Sequence, residues 1–333
     1  MNPQSILLGR HGHGVRDAVV VQDGNRSTFP LEAAAVWLLY LVVSLEMLAT
    51  YSRVPAAELY HVTGSGLTGG ASRVLVFANF STALAAIPVL AFVADRMRSR
   101  MAVGAAIAAG MLCAAVFWPG IVDEANLDAR PVNAIAAVGV LIAIALTAVA
   151  SRQGAAWSGR QAGDSVRVVA GAAAVFLCLP WIAAELGFFL DGVPGLRSVF
   201  QTGDSPSPSQ PAAVHHGHHH GMDGLLLLLV AALLSRAVPS LSRRGLRIAV
   251  GAYLAVMASY AVANIANDFW IEQVVNRGWT TWQIPNVLHP TLTVAWGLIL
   301  LGAGALYAAS VWWSRFSAQR AMRPIPDHRL LSS

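Results

Sequence analysis

The chain contains no lysine, and only 12% of its 333 residues are charged. A soluble domain carries about a quarter charged residues. A deficit of that size, set against 56% hydrophobic residues, excludes an ordinary soluble fold and points to the membrane class. Cysteine is nearly absent. Cys113 and Cys178 both fall inside apolar runs, which predicts buried thiols rather than a disulfide. A secretory leader is not expected either. Residues 1–30 are polar and mixed in charge, and the first apolar run after them is long enough to span a bilayer.

What is present is arginine. All 22 basic residues are arginines, against 17 acids, and the isoelectric point is near 9.8. In a soluble protein that balance would suggest nucleic acid. In a membrane chain it reflects basic residues gathered in cytoplasmic loops. No nucleic-acid partner is expected, and the bilayer is the predicted partner.

A span needs about 20 apolar residues. Runs of that kind occupy 31–50, 73–94, 101–118, 131–150, 168–189, 223–239, 246–266 and 289–313. The sequence therefore predicts an all-α integral membrane bundle of about eight transmembrane helices. With the N-terminus inside, the inner segments hold Arg96, Arg98, Arg100, Arg152, Arg160, Arg167, Arg236, Arg243, Arg244 and Arg247. The tail adds Arg315, Arg320, Arg323 and Arg329, while the outer segments hold only Arg53, Arg73, Arg130, Arg197 and Arg277. The positive-inside rule then places both termini in the cytoplasm of a multi-pass protein of the cell membrane. Trp118, Trp270, Trp279 and Trp282 fall at the outer interface, where amphipathic rings settle.

The chain also looks duplicated. EMLATYSRVP from Glu46 and ELGFFLDGVP from Glu185 align Glu with Glu, Val with Val and Pro with Pro at an offset of 139 residues, and Thr63-Gly64 matches Thr202-Gly203 at the same offset. Phe117-Trp118 matches Phe269-Trp270 at an offset of 152, the difference being an insertion rich in Ser, Pro and His. The expected organisation is a cytoplasmic segment 1–30, a four-helix repeat 31–150, and a cytoplasmic linker 151–167. A second four-helix repeat 168–313 follows, with a histidine-rich outer loop 201–221, then a cytoplasmic tail 314–333. Tandem repeats in the same orientation imply a pseudo-two-fold axis along the membrane normal.

Seven of the ten histidines fall on the predicted outer side: His61, His215, His216, His218, His219, His220 and His289. At helical spacing, His216 and His220 share a face, and so do His219 and Asp223. Neutral imidazole is the common ligand for zinc, copper and iron, and a carboxylate completes or orients such a set. The sequence thus nominates His216, His219, His220, Asp223 and His289 as ligands of a transition metal (copper, zinc or iron). His289 is expected to open the eighth helix, with Pro290 in its first turn.

Glu46 and Glu185 lie inside apolar runs, toward their outer ends. Ionisable residues at such depth are costly and face a bundle interior, a cavity or a partner. Asn264, Asn267, Asp268 and Glu272 add a polar patch at the outer end of the seventh run. Glu46, Glu185 and Asp268 are the candidate general bases. The inner half is nearly bare, Asn79, Ser81, Thr82 and Thr147 being most of its polar residues. That disfavours a crossing pathway and assigns chemistry to the outer leaflet.

Two strings carry resemblances. Asp95-Arg96-Met97-Arg98-Ser99-Arg100 resembles the second inner loop of major-facilitator transporters, a fold with more spans than this chain offers. Duplicated four-helix halves with histidines at outer helix ends, and the string Thr63-Gly64-Ser65-Gly66-Leu67, look like the haem A synthases. That resemblance implies a haem held between His218–His220 and His289. The chain departs from the family in having no cysteine pair in the first outer loop and no helix histidines in its first half.

The leading expectation is a membrane-embedded metal-dependent enzyme or metal-handling assembly factor. A lipid-soluble or small-molecule ligand at the outer leaflet, or a membrane-complex partner, would go with it. A non-enzymatic sensor or accessory subunit is the alternative, and a haem oxidoreductase or a transporter comes after it.

Overall fold

The structure, a computed structural model, describes residues 28–56, 62–118, 120–123, 126–186, 188, 190, 192–202, 220–288 and 290–321. Among the described residues its regular structure is helical apart from two paired two-residue strands, β1 (Phe29–Pro30) and β2 (Ala155–Ala156). The long helices are α1 (Leu31–Tyr51), α3 (Asn79–Arg96), α4 (Arg100–Ala114), α5 (Asn133–Arg152), α9 (His220–Ala237), α10 (Arg244–Trp270) and α11 (Val294–Ala321). Shorter pieces are α2 (Gly66–Arg73), α6 (Asp164–Leu177), α7 (Leu179–Glu185) and α8 (Arg197–Phe200). Among the described residues, six helices are long and apolar enough to cross a membrane, or up to eight if each of two bent pairs counts as one span.

The distribution of side chains agrees with a bilayer setting. Leu38, Leu41 and Leu45 on α1 are each more than half exposed, as are Leu298, Leu300 and Leu301 on α11. Monomeric soluble proteins rarely expose apolar surface so continuously. In hydrocarbon such faces cost nothing. Enclosure varies between helices, from 56% of the most apolar stretch around α9 to 11% of that in α11. α9 is therefore the centre of the second half. It packs on α1, α3, α6 and most extensively α10, while α11 leans mainly on α10.

Contacts sort the connecting segments to two ends. At the arginine-rich end β1 pairs with β2, and the Ser158 amide donates to Glu32 at 3.0 Å. The Ser242 amide and hydroxyl donate to Asp95 at 2.8 and 2.6 Å. Arg236 and Arg167 both reach Asp164, at 3.2 and 3.1 Å. Each partly exposed pair contributes about 1 kcal/mol or less. The Asp95–Ser242 bonds tie the first half to the second, and the Asp164 pairs hold the linker to α9.

At the far end the Thr63 amide and hydroxyl donate to Asp128 at 3.0 and 2.8 Å. Those donors hold the Asp128 carboxyl below its ordinary range. The glycine-rich string after Val62 thus grips a neighbouring loop.

Two of the bends have local causes. The α6–α7 pair bends by 57° across Cys178, with Pro180 in the first turn of α7. Proline lacks the N–H that would continue the helix. A π-helical turn, Val74–Ala78, separates α2 from α3, and a second, Ile271–Val275, closes α10. Inside α3, Pro88 leaves the Leu84 carbonyl without its usual donor. Tyr253 of α10 supplies one, its hydroxyl donating to that carbonyl at 2.9 Å. Tyr253→Phe is expected to cost about 1–3 kcal/mol, the penalty for a buried orphaned acceptor, read as a lower thermal midpoint of the purified protein.

One expectation is corrected. The eighth span does not begin at residue 289 with Pro290 in its first turn: α11 starts at Val294. The chain before it is held extended against α10. The Asn267 amide donates to the Ile284 carbonyl at 2.8 Å, and the Tyr260 hydroxyl to the Leu288 carbonyl at 3.2 Å. Backbone bonded to side chains of a neighbouring helix is not free to close its own helical turn.

The two halves differ in build. The first helix of the first half is straight, while its counterpart bends at Cys178. The fourth helix of the first half packs on α3 and α4, whereas α11 rests mainly on α10.

Candidate functional site

Buried polar side chains gather at the far end. Arg73, Glu185, Asp223, Asn264, Asn267, Asp268 and Glu272 are each 7% exposed or less. They come from α2, α7, α9, α10 and the π turn after α10. Such groups stay buried only when paired or hydrogen-bonded.

One group forms where α1, α2 and α7 end. Arg73, the last residue of α2, is fully buried, with its guanidinium 4.9 Å from the Tyr51 ring centroid. A cation over an aromatic face is held by the ring quadrupole, more strongly once water is excluded. The Tyr51 hydroxyl donates to Glu185 at 3.3 Å. Arg73 and Glu46 both act electrostatically on the Glu185 carboxyl, with opposite sign. Glu46 is half-buried and accepts from the Thr50 hydroxyl at 2.9 Å, one turn along its own helix. The two glutamates, 139 residues apart in sequence, are thus near enough for their charges to act on each other.

A second group forms where α9 enters the bundle. The Gly221 amide donates to the Asp268 carboxylate in a short hydrogen bond. A Cβ on Gly221 would lie 2.6 Å from the Trp181 ring and 2.7 Å from Asp268, so only glycine fits between them. Gly224 is pressed in the same way, its added Cβ meeting the Ala261 carbonyl at 2.7 Å. These two glycines seat the start of α9 directly on α10. Met222 packs both with Met47, Tyr51 and Val62 and with Cys178, Trp181 and Ile265, which joins the two groups. Asp223 lies one residue further on and is 4% exposed.

Of the residues nominated from sequence, Glu46, Glu185, Asp223 and Asp268 are thus brought to one end of the bundle. His216, His219 and His289 lie outside the described residues, as do His61, His215 and His218. His220 opens α9, and its side chain is not among those described. Among the described residues no three His, Cys, Asp or Glu side chains converge closely enough to hold a metal ion. The carboxylates present do not make a metal centre by themselves.

Sequence reasoning missed Tyr51 and the burial of Arg73. The signal for Arg73 was there, a charge at the edge of an apolar run. Nothing in the sequence pattern singled out Tyr51.

The described groove elsewhere on the surface is apolar and open to the side. It is lined by Met111, Phe117, Trp118, Ile121 and Ile135, away from these acids.

No family model, curated protein or solved structure matches the chain, so its function is argued from the chemistry of this end of the bundle.

Proposed function

We propose that the far end is the outer face and holds a transition-metal site built from the histidine run and the buried acids, serving a membrane-embedded enzyme or a metal-handling factor. One observation carries this reading. The run His215–His220 leads straight into Gly221, and the Gly221 amide is bound by buried Asp268. The C-terminal end of a run of imidazoles is therefore seated beside a carboxylate. Imidazole with carboxylate suits zinc, copper or iron. We assign His216, His219, His220, Asp223 and His289 as ligands, with Asp268 beside them as the carboxylate bound to the Gly221 amide.

Orientation rests on the arginines. The end carrying Arg96, Arg98, Arg100, Arg152, Arg236, Arg243 and Arg244 is the one joined through β1–β2 and Asp95–Ser242. Read as the cytoplasmic face, it leaves the acids outside.

A metal bound there would act as Lewis acid, activate a water or change redox state. Glu46 and Glu185, at the same end of the bundle, supply the candidate base. Elemental analysis of the purified, untagged protein tests the reading, together with an optical spectrum. About one copper, zinc or iron per chain is expected, without haem absorption. A metal-free chain that binds none on dialysis would leave the sensor or accessory-subunit reading.

A further inference from the structure

At the arginine-rich end two loops are fastened together. One leads from α3 into α4, the other from α9 into α10. The Asp95 carboxylate accepts from both the amide and the hydroxyl of Ser242, at 2.8 and 2.6 Å, and the Arg96 guanidinium donates to the Ser240 carbonyl at 3.0 Å. Arg98 and Arg100 follow Asp95 by three and five residues, while Arg243, Arg244 and Arg247 follow Ser242 by one, two and five. Five residues of extended chain reach at most about 18 Å, so the joint keeps these arginines local to one another. All five are exposed.

Little negative charge opposes them. The acids described at this end are Glu32, Asp95 and Asp164. Glu32 accepts from the Ser158 amide, Asp95 is taken by Ser242, and Asp164 pairs with Arg167 and Arg236. None of the five arginines has an ion-pair partner among the described residues. A cluster of one sign raises the local concentration of counter-charge. The neighbouring side chains say what kind. Met101, next to Arg100, is 86% exposed, and Ile248, next to Arg247, is 48% exposed. Exposed apolar groups there belong in hydrocarbon, which sets the guanidiniums beside them at headgroup depth. Trp157 at the same end is 55% exposed, as suits a ring at the membrane–water boundary.

We propose that the joined α3–α4 and α9–α10 loops form one docking surface for the headgroups of anionic phospholipids in the adjacent leaflet. A guanidinium meets a phosphate with two parallel N–H donors, and an anionic headgroup carries net charge to match. Separate basic loops would each attract such lipids weakly. Here Asp95 and Ser242 bring two loops into one surface, so a headgroup meets arginines from both. The surface lies at the opposite end from the histidine run, and the proposal holds whichever way the bundle points.

The test is thermal unfolding of the full chain in detergent, with added phosphatidylglycerol or phosphatidylcholine of the same acyl chains. The midpoint should rise with phosphatidylglycerol, by about 5 °C at a hundredfold excess over Kd, and rise less in high salt. Phosphatidylcholine, whose headgroup has no net charge, and inorganic phosphate should leave it nearly unchanged. Arg98→Gln combined with Arg243→Gln, one from each loop, should require about 30-fold more phosphatidylglycerol for the same rise. Arg53→Gln combined with Arg197→Gln removes equal charge from exposed positions at the far end and should not. Asp95→Ala removes a negative charge but breaks the joint, and the proposal expects weaker binding. Unchanged or tighter binding by Asp95→Ala would mean that net charge alone draws the lipid, and would overturn the joined surface. Equal midpoints in the two lipids, the same rise with inorganic phosphate, or an equal loss in the far-end variant would overturn it as well. No residue altered here belongs to the histidine site, so either can fail while the other stands.

Discussion

Replacing Arg73 with Met is expected to destabilise the protein by about 3–5 kcal/mol, the range for removing one partner of a buried charge pair. The guanidinium is fully buried over the Tyr51 ring, and Glu185 next to it is 7% exposed. Without the cation, the buried Glu185 carboxylate loses the opposite charge that acts on it, while Glu46 still acts against it. The loss should be read from denaturant or thermal unfolding in detergent. Replacing both Arg73 and Glu185 with apolar residues of like size should recover most of it, because the stranded charge is then gone. A single-variant loss under about 1 kcal/mol would mean that the pair behaves as an exposed one.

Replacing His289 with Ala is expected to weaken metal binding by about 10- to 100-fold if its imidazole orients another ligand, and by more if it binds directly. The reason begins at its neighbour. The Leu288 carbonyl accepts from Tyr260, and the Asn267 amide pins the chain four residues earlier, at Ile284. Asn267 is next in sequence to Asp268, the residue that holds the start of α9. Adjacent positions of α10 thus anchor both chain segments that carry the histidines. Equilibrium dialysis with zinc reads the effect. Affinity unchanged in His289→Ala but lost when His216, His219 and His220 become Ala would mean that the run binds metal alone.

The helices were legible because an apolar run long enough to span a bilayer is rare in any other setting, and α1, α4 and α5 begin and end within a few residues of their sequence-derived bounds. The breaks were less legible. Pro180 marks the bend after Cys178, but a π turn has no composition of its own, and neither Val74–Ala78 nor Ile271–Val275 stands out. The late start of α11 is hidden in the sequence because it depends on Tyr260 and Asn267, which are remote from the segment they hold. The polar site was half visible. Isolated acids in apolar sequence announce themselves, and Glu46, Glu185 and Asp268 did. Tyr51 did not, since a tyrosine is ordinary in a membrane helix and its hydroxyl acquires meaning only from Glu185 beside it. The middle of the bundle also holds Tyr40 and Tyr253, which a hydropathy scan passes over and whose hydroxyls donate to the Ser81 and Leu84 carbonyls.

The central claim is that the histidine run and the buried carboxylates act as one site. Zinc affinity of Asp268→Asn, measured by equilibrium dialysis beside the wild type, tests it most directly. Asparagine keeps the size and leaves an oxygen to accept from the Gly221 amide, so the start of α9 should stay seated while the charge is lost. The account predicts binding weaker by about 10- to 100-fold with the thermal midpoint little changed. Affinity equal to that of the wild type, in a folded variant, would contradict it.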